Sequence, residues 1–292
     1  MKKFKLEKQY QRMKISQYLR EVQNYSGRSL RNVEVFLNGK QVRTTKKLPS
    51  GGILKVVEKN KGTDIKPIKL SLDIVYEDDD LLIVNKEPFL LTHPTQKKAD
   101  FTLANGIVHY FREKYGEERI PRFYNRLDMN TSGLIIIAKN GFAQAFLQNF
   151  STFEKKYLAI VEGIMEIDRE IIIEKPIYKD GDKLERIIDE RGQYAKTSVR
   201  PLRKYIEKNV TLIECELFTG RTHQIRVHLK SVGHPITGDE LYGKGVNSEK
   251  GINRQFLHAY KVKFTHPSKN EEIELEIPIF EDMKKFLEDE WQ

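Results

Sequence analysis

The sequence holds one cysteine in 292 residues, Cys215, inside the alternating stretch "TLIECELF". A single thiol excludes an internal disulfide framework and a cysteine-built zinc cluster. No run of about eighteen apolar residues occurs, so no membrane span is expected. The N-terminal "MKKFKLEKQYQRMK" lacks the apolar segment of a secretory signal peptide, which points to a soluble, cytoplasmic protein. Also missing are a phosphate-cradling G-x-x-x-x-G-K-[ST], a G-x-G-x-x-G after a strand and a G-x-S-x-G elbow. His223 and His228 are five apart on an expected helix, hence on different faces, which argues against a zinc pair. The acidic run Asp78 to Asp80 has no second oxygen cluster at fixed spacing and reads as a polar hairpin turn rather than a metal site.

What the chain does have is an uneven charge. Residues 1–70 carry 18 Lys+Arg against 5 Asp+Glu, a net +13; the remainder carries 33 against 37, a net −4, which together give the overall +9. A compact basic module joined to a near-neutral larger one is the footprint of a polyanionic partner. The module carries folding signals too. "ISQYLREVQ" (15–23) spaces Ile15, Tyr18, Leu19 and Val22 as one face of a helix. "LRNVEVFLNGKQVR" is expected to hold a second short helix and then turn at Asn38-Gly39, a strong hairpin dipeptide. "ILKVVEKN" closes the unit as a strand, and a charged linker without periodicity follows it. Few contacts are expected across that linker.

Beyond it, strands are expected over 72–76 and 81–86, a helix over 101–114, a buried strand over Leu134–Ala138 and a helix near 141–150. From 155 onward strands dominate, broken by one helix near 222–232. Three stretches could carry chemistry. "NRLDMNTSGLIIIAKN" (125–140) sets Arg126 and Asp128 immediately before the buried strand, although an unpaired buried carboxylate is costly. In "EKKYLAIVEG" (154–163), Tyr157 leads a strand. In "FTGRTHQIRVHLKSVGHPITGDELYG" (218–243), Arg221 and Arg226 flank the start of a helix.

Together, "IVYEDDDLLIVNKEPFLLTHP", "NRLDMNTSGLIIIAKN", "KKYLAIVEG", "GRTHQIRVHLKSVGHPITGD" and "LHAYKVKFTHP" resemble, in order, the signature blocks of the RluA/RluD family of RNA pseudouridine synthases. The resemblance runs from about residue 70 to 280. Two departures stand out. Asn125 takes the place of a usual histidine, keeping a hydrogen-bonding side chain but losing a titrating one. "NKEPFLLTHP" lacks the small Pro-Ala/Pro-Gly pattern of the opening block. The helix–helix–hairpin order of roughly residues 13–60 resembles the small S4 module of a ribosomal protein.

The resemblance implies an α+β protein. A mixed, mainly antiparallel sheet forms a catalytic domain over 71–292. A small N-terminal α/β S4-like RNA-binding domain covers 1–60, with a linker over 61–70. It implies isomerisation of uridine to pseudouridine in RNA, with large-subunit ribosomal RNA as the target, no cofactor, no metal and no membrane partner, by a monomer. Asp128 would be the catalytic carboxylate, with Arg221 as its ion-pair partner. Tyr157 would stack on the uracil, Arg126 would enter the RNA and Leu257 would close the pocket. Arg28, Arg31, Lys40 and Arg43 would bind RNA from the basic module. The competing reading is a non-catalytic RNA- or ribosome-binding protein with a degenerate synthase domain, which only Asn125 favours. A glycoside hydrolase would need two flanking carboxylates, and one is placed.

Overall fold

The computed structural model describes residues 1–59, 62–94, 101–166, 169–269 and 271–288, the side chain of Arg28 excepted. The chain opens with β1 (Lys2–Leu6), α1 (Ile15–Glu21), α2 (Gly27–Leu30), β2 (Val33–Leu37), β3 (Lys40–Val42) and β4 (Gly52–Glu58), whose strands form a four-stranded sheet in the order β1-β4-β2-β3. Asn38 and Gly39 both take positive φ, the geometry of a two-residue hairpin turn. The Asn38 side chain accepts from Ile53 N at 2.9 Å and so ties that turn to the neighbouring strand.

Two details differ from the sequence reading. The second helix ends before "NVEVFL", because Val33, Val35 and Leu37 alternate with period two and the segment enters the sheet instead. The lysine-rich N-terminus is itself a strand: in "KKFKL" Lys3 and Lys5 point to solvent at the sheet edge, while Leu6 is buried. Lysines on an edge strand discourage further strand pairing.

The second sheet is built from β5 (Asp73–Glu77), β6 (Leu81–Lys86), β7 (Arg122–Phe123), β8 (Ser132–Ala138), β9 (Phe153–Glu162), β10 (Ile171–Glu174), β13 (Lys196–Tyr205), β14 (Val210–Leu217), β15 (Leu257–Thr265) and β16 (Glu272–Glu276). Its order is β10-β13-β14-β9-β15-β8-β6-β5, with β16 beside β15 and β7 beside β8. All its pairings are antiparallel except β15 with β8. The strands β11 (Ile177–Lys179) and β12 (Arg186–Ile188) make a separate hairpin. The architecture is therefore the mixed, mainly antiparallel α+β type expected.

Helices cover both faces of this sheet. α3 (Leu103–Tyr115) and α5 (Gln224–Lys230) share a core with Leu82, Val84, Ile135 and Ile137. α4 (Gly141–Asn149) packs with Leu81, Ile83, Leu134 and Ile136. A strand buried on both faces reads as a continuous apolar run, which is why "LIIIA" shows no alternation. A helix missing from the sequence reading, α6 (Glu281–Glu288), packs Met283 and Phe286 against Phe256 and Ile160. Among the described residues, no helix is long and apolar enough to cross a membrane.

The stretch between the two sheets is not the bare tether expected. Asn105 of α3 donates to Lys66 O, and Ile68 N donates to Asn105 O. The first sixty residues also share their core with the rest of the chain: Phe142 and Phe146 of α4 belong to the cluster of Leu19, Tyr25 and Leu54. Polar contacts frame that apolar seam. Lys2 pairs with Asp80 at 3.0 Å, and its ammonium sits 3.5 Å from the centroid of the Phe142 ring. Glu58 accepts from Arg122 at 2.9 Å and from Gly141 N, at the start of α4, at 2.7 Å. Charge-rich "linker" composition masked an interface, because the residues that make it lie outside the linker.

Burying an aromatic ring is worth roughly 1.5–3 kcal/mol, and for a domain of this size each kcal/mol moves Tm by roughly 2–4 °C. Removing residues 1–60 is therefore expected to lower the Tm of the remaining chain by at least about 5 °C and to expose a dye-binding apolar patch on α4. A truncated chain that melts at the full-length temperature would show that the seam carries no stability.

Candidate active site

Asp128 lies in the loop between β7 and β8, and the backbone of that loop is held carbonyl by carbonyl. Thr92 Oγ1 donates to Leu127 O at 3.0 Å, and Thr131 N donates to Asp128 O at 3.0 Å. Lys86 Nζ donates to Met129 O at 3.1 Å, and Arg254 Nη1 to Asn130 O at 3.1 Å. Lys86 and Arg254 are almost completely buried. Two buried cations thus fasten consecutive peptides from opposite ends of the domain. Asn125 closes the entrance to the loop by accepting from Ile136 N at 2.9 Å and donating to Leu134 O at 3.0 Å. Both ends of this amide serve the backbone, so an asparagine meets the structural need of the position without titrating.

Gly133 explains how β8 meets β15 directly after the loop. Its φ is +119°, and a Cβ there would lie 2.3 Å from Ala259 O. Only glycine allows that approach. Beside it, Ser132 Oγ donates to His258 Nδ1 and accepts from Arg254 Nη2, while His258 Nε2 donates to Pro278 O. Burial drives the His258 pKa down to about 4, so this ring is a neutral connector. Arg254 in turn forks onto both carboxylate oxygens of Asp282 in α6, at 2.6 and 2.8 Å.

The Asp128 carboxylate is half-buried, and its partner is Arg226, not Arg221: Arg226 Nη1 donates to Asp128 Oδ2 at 2.8 Å. The same guanidinium forks onto Asp239, Nε to Oδ2 at 2.7 Å and Nη2 to Oδ1 at 2.8 Å. Asp239 is fully buried and also accepts from Leu241 N and Tyr242 N. Burial works against the Arg226 charge, but Asp239 and then Asp128 outweigh it and hold the guanidinium protonated. Arg221 was the expected partner, but it precedes α5, is exposed and donates its Nε to Tyr194 O. Arg226 lies inside α5 between the buried Ile225 and Val227, so it points into the protein. The flanking apolar residues and an aspartate thirteen positions on were the available signal in the sequence.

His223 caps α5 in a left-handed conformation, φ +57°, with Nε2 3.9 Å from Asp128 Oδ2. Tyr242 OH accepts from Arg186 N at 2.7 Å, and therefore offers its own proton to His223 Nδ1 at 2.8 Å. Burial lowers the His223 pKa, so the neutral ring keeps its proton on Nε2, facing the carboxylate. His223, Arg226, Asp239, Tyr242, Lys86 and Arg254 are all site residues to which the sequence reading assigned no role.

Of the expected residues, Tyr157 and Leu257 lie together in the core beneath the loop, with Leu127. Tyr157 is 6% exposed, and burial, with the Asp128 charge second, pushes its phenol well above the ordinary value. It falls mid-strand in β9 rather than at the strand's start, directly across from Cys215. Leu257 begins β15 opposite Ala159. Arg126 is exposed, and its charge adds to burial in lowering the His93 pKa. On the basic module, Arg31, Lys40 and Arg43 are exposed. Arg28 falls in α2, and its side chain lies outside the described residues. The Asp78–Asp80 segment is indeed a turn: Asp78 Oδ1 accepts from Asp80 N and Leu81 N, and Oδ2 accepts from His266 Nε2.

The family described as RNA pseudouridylate synthase matches residues 80–231. The chain is 36% identical over 262 residues to the uncharacterised RNA pseudouridine synthase YlyB of Bacillus subtilis, covering 87% of this chain and 85% of that one. It is 35% identical over 271 residues to the ribosomal large subunit pseudouridine synthase D of Neisseria meningitidis, covering 87% and 71%. Among solved structures, human RNA pseudouridylate synthase domain containing 1 superposes with a TM-score of 0.57 at 28% identity, over 71% of this chain and 83% of that one.

The burial of Lys86 yields a pH prediction. Desolvation, then the nearby Arg254 charge, lowers its pKa to about 7, against the opposing pull of Asp128 and Glu87. Below pH 7 both folded and unfolded chains hold the proton, and the full cost of burying the ammonium is present. Between about 7 and the ordinary lysine value the unfolded chain binds more protons, so stability from this group rises with pH. The Tm of wild type relative to Lys86→Met is expected to shift in favour of wild type from pH 7 to pH 10. A difference that stays flat across that range would mean that the three carbonyls around Nζ keep it protonated.

Proposed function

Because the chain belongs to the RluA/RluD family of RNA pseudouridine synthases, we propose that Asp128 is its catalytic carboxylate and that large-subunit ribosomal RNA is its substrate. The observation that carries the first part is the Asp239–Arg226–Asp128 relay, in which a buried guanidinium bridges a fully buried carboxylate and the half-buried one at the edge of the core. The second part draws support from the name of the Neisseria relative. In the isomerisation the N1–C1′ bond of uridine breaks, the uracil turns, and a C5–C1′ bond forms. C5 loses a proton and N1 gains one, so nothing is oxidised or reduced. The chemistry asks for one carboxylate, as nucleophile or base, and for a site that grips the freed base.

Those needs map onto this chain's own groups. Asp128 acts at the mouth, kept in one geometry by Arg226 and by the tethered loop carbonyls. Tyr157 and Leu257 form the wall against which the uracil stacks and turns; base–aromatic stacking is worth roughly 1–3 kcal/mol. Arg126, exposed two residues before the aspartate, enters the RNA and helps hold the extruded nucleotide, whose unstacking costs a few kcal/mol. Arg221, on the exposed rim, is left to contact phosphate. Residues 1–60, as an S4-like domain joined through 61–70 to a catalytic domain over 71–292, present Arg28, Arg31, Lys40 and Arg43 to the RNA backbone.

Tritium release from RNA labelled at uridine C5 tests the assignment, since forming the carbon–carbon bond expels that label. Asp128→Asn is expected to abolish release while RNA affinity stays within a few fold. Residual activity above about one per cent would remove Asp128 from its role.

A second comparison separates the two arginines. Arg226→Lys is expected to lower the single-turnover rate by about 100-fold or more, because a point charge cannot bridge two carboxylates as a planar fork does. Arg221→Lys should remain within about threefold of wild type, its charge being kept at the rim. The reverse ranking would assign the catalytic ion pair to Arg221.

A further inference from the structure

Two phenylalanines beside the Asp128 loop occupy a conformation that bulky residues avoid. Phe89 has φ +63° and is 57% exposed; Phe101 has φ +61° and is 67% exposed. A left-handed backbone brings Cβ against the following carbonyl, and glycine would remove the clash. A ring more than half exposed in such a backbone gives the folded chain little packing in return. Sidedness comes from the turn itself. Lys86 Nζ donates to Glu87 O at 2.7 Å and to Leu90 O at 2.9 Å, bracketing Phe89, and the same ammonium holds Met129 O of the catalytic loop. Leu90 packs against the core, while Phe89 is left in solvent. Three residues beyond Phe89, Thr92 is tied to Leu127 O. A parallel bridge between Leu91 and Thr102, with Leu103 N donating to Leu91 O, brings Phe101 alongside.

We propose that Phe89, with Phe101 beside it, is a stacking platform for the RNA bases that flank the target uridine. This rests on the RNA-modifying reading of the Asp128 site. Extruding a uridine from its stack leaves the neighbouring bases with uncovered faces. An aromatic ring covers such a face whatever the base, because every base has a π-surface. Local backbone strain at an exposed position is the sign of a surface whose benefit is realised only with a partner bound. The exposed Arg126, two residues before Asp128 in the loop that Lys86 and Thr92 hold, supplies positive charge there. Phe89 is thus an RNA-binding residue that touches a base next to the reacting nucleotide, and it stands in a block lacking the small residues expected there.

The full-length chain is assayed with C5-tritiated RNA from cells lacking the protein, alongside direct RNA binding across a salt series. Phe89→Gly relieves the backbone, so its Tm should equal or exceed that of wild type. RNA Kd and KM should rise about 5- to 100-fold, with kcat within a few fold. The log–log salt slope of binding should not change, because no phosphate contact is lost. Phe89→Trp should restore affinity, and Phe89→Gly/Phe101→Gly should weaken it further. Unchanged Kd in the double variant overturns the proposal, and so does a fall in Tm large enough to mark Phe89 as a packing residue. A wild-type chain that releases no tritium yet loses affinity on Phe89→Gly would overturn the catalytic reading alone and leave the platform standing.

Discussion

The guanidinium of Arg226 is the piece on which the site's electrostatics turn. Asp239 meets it with a bidentate, fully desolvated carboxylate that offsets its burial, and its Nη1 is left to donate to Asp128. A lone aspartate at the edge of an apolar sheet would be driven towards its neutral form, whereas a lone buried arginine would be intolerable. The bidentate Asp239–Arg226 pair removes both objections and leaves the guanidinium free to hold Asp128 as well. The relay also dictates chain topology, since Asp128, Arg226 and Asp239 come from a loop, a helix and the turn beyond it. All three must be delivered to one place by the ten-stranded sheet.

Rigidity of the loop follows a second rule. The peptide carbonyls from Leu127 to Asn130 are spoken for by Thr92, Thr131, Lys86 and Arg254. Burying two cations is expensive unless each finds several acceptors, and here each finds backbone oxygens, with Arg254 adding the Asp282 carboxylate. The C-terminal helix is therefore structurally continuous with the site: Asp282 orients Arg254, which orients Asn130, Ser132 and the start of β15. Preorganisation of this kind lets the Asp128 loop hold its geometry without help from a ligand.

The basic module is fastened to the same framework. Glu58 joins Arg122, on the strand that leads into the Asp128 loop, to the first residue of α4, on the segment that follows β8. α4 itself contributes Phe142 to the core of the module and Leu147 to the core of the sheet. The basic face of the N-terminal module is thus held in a set relation to the loop that carries Asp128.

Much of this was written in residue order. The unbroken "LIIIA" announced a buried strand, Asn38-Gly39 announced its hairpin, and the charge division marked off the basic N-terminal module. The signature blocks located Asp128, Tyr157 and Leu257, which tertiary structure gathers around one loop. What residue order could not convey was pairing. Arg221 and Arg226 are both cations near the start of one helix, and only the helix's orientation decides which reaches Asp128. Lys86, Arg254 and Asp282 are unremarkable charges until folding buries the first two and leaves them dependent on specific oxygens. α6 and the seam through Phe142 were hidden for the same reason. Local propensity and periodicity determine elements, but which charge neutralises which depends on distances between segments a hundred residues apart, and those exist only in the folded chain.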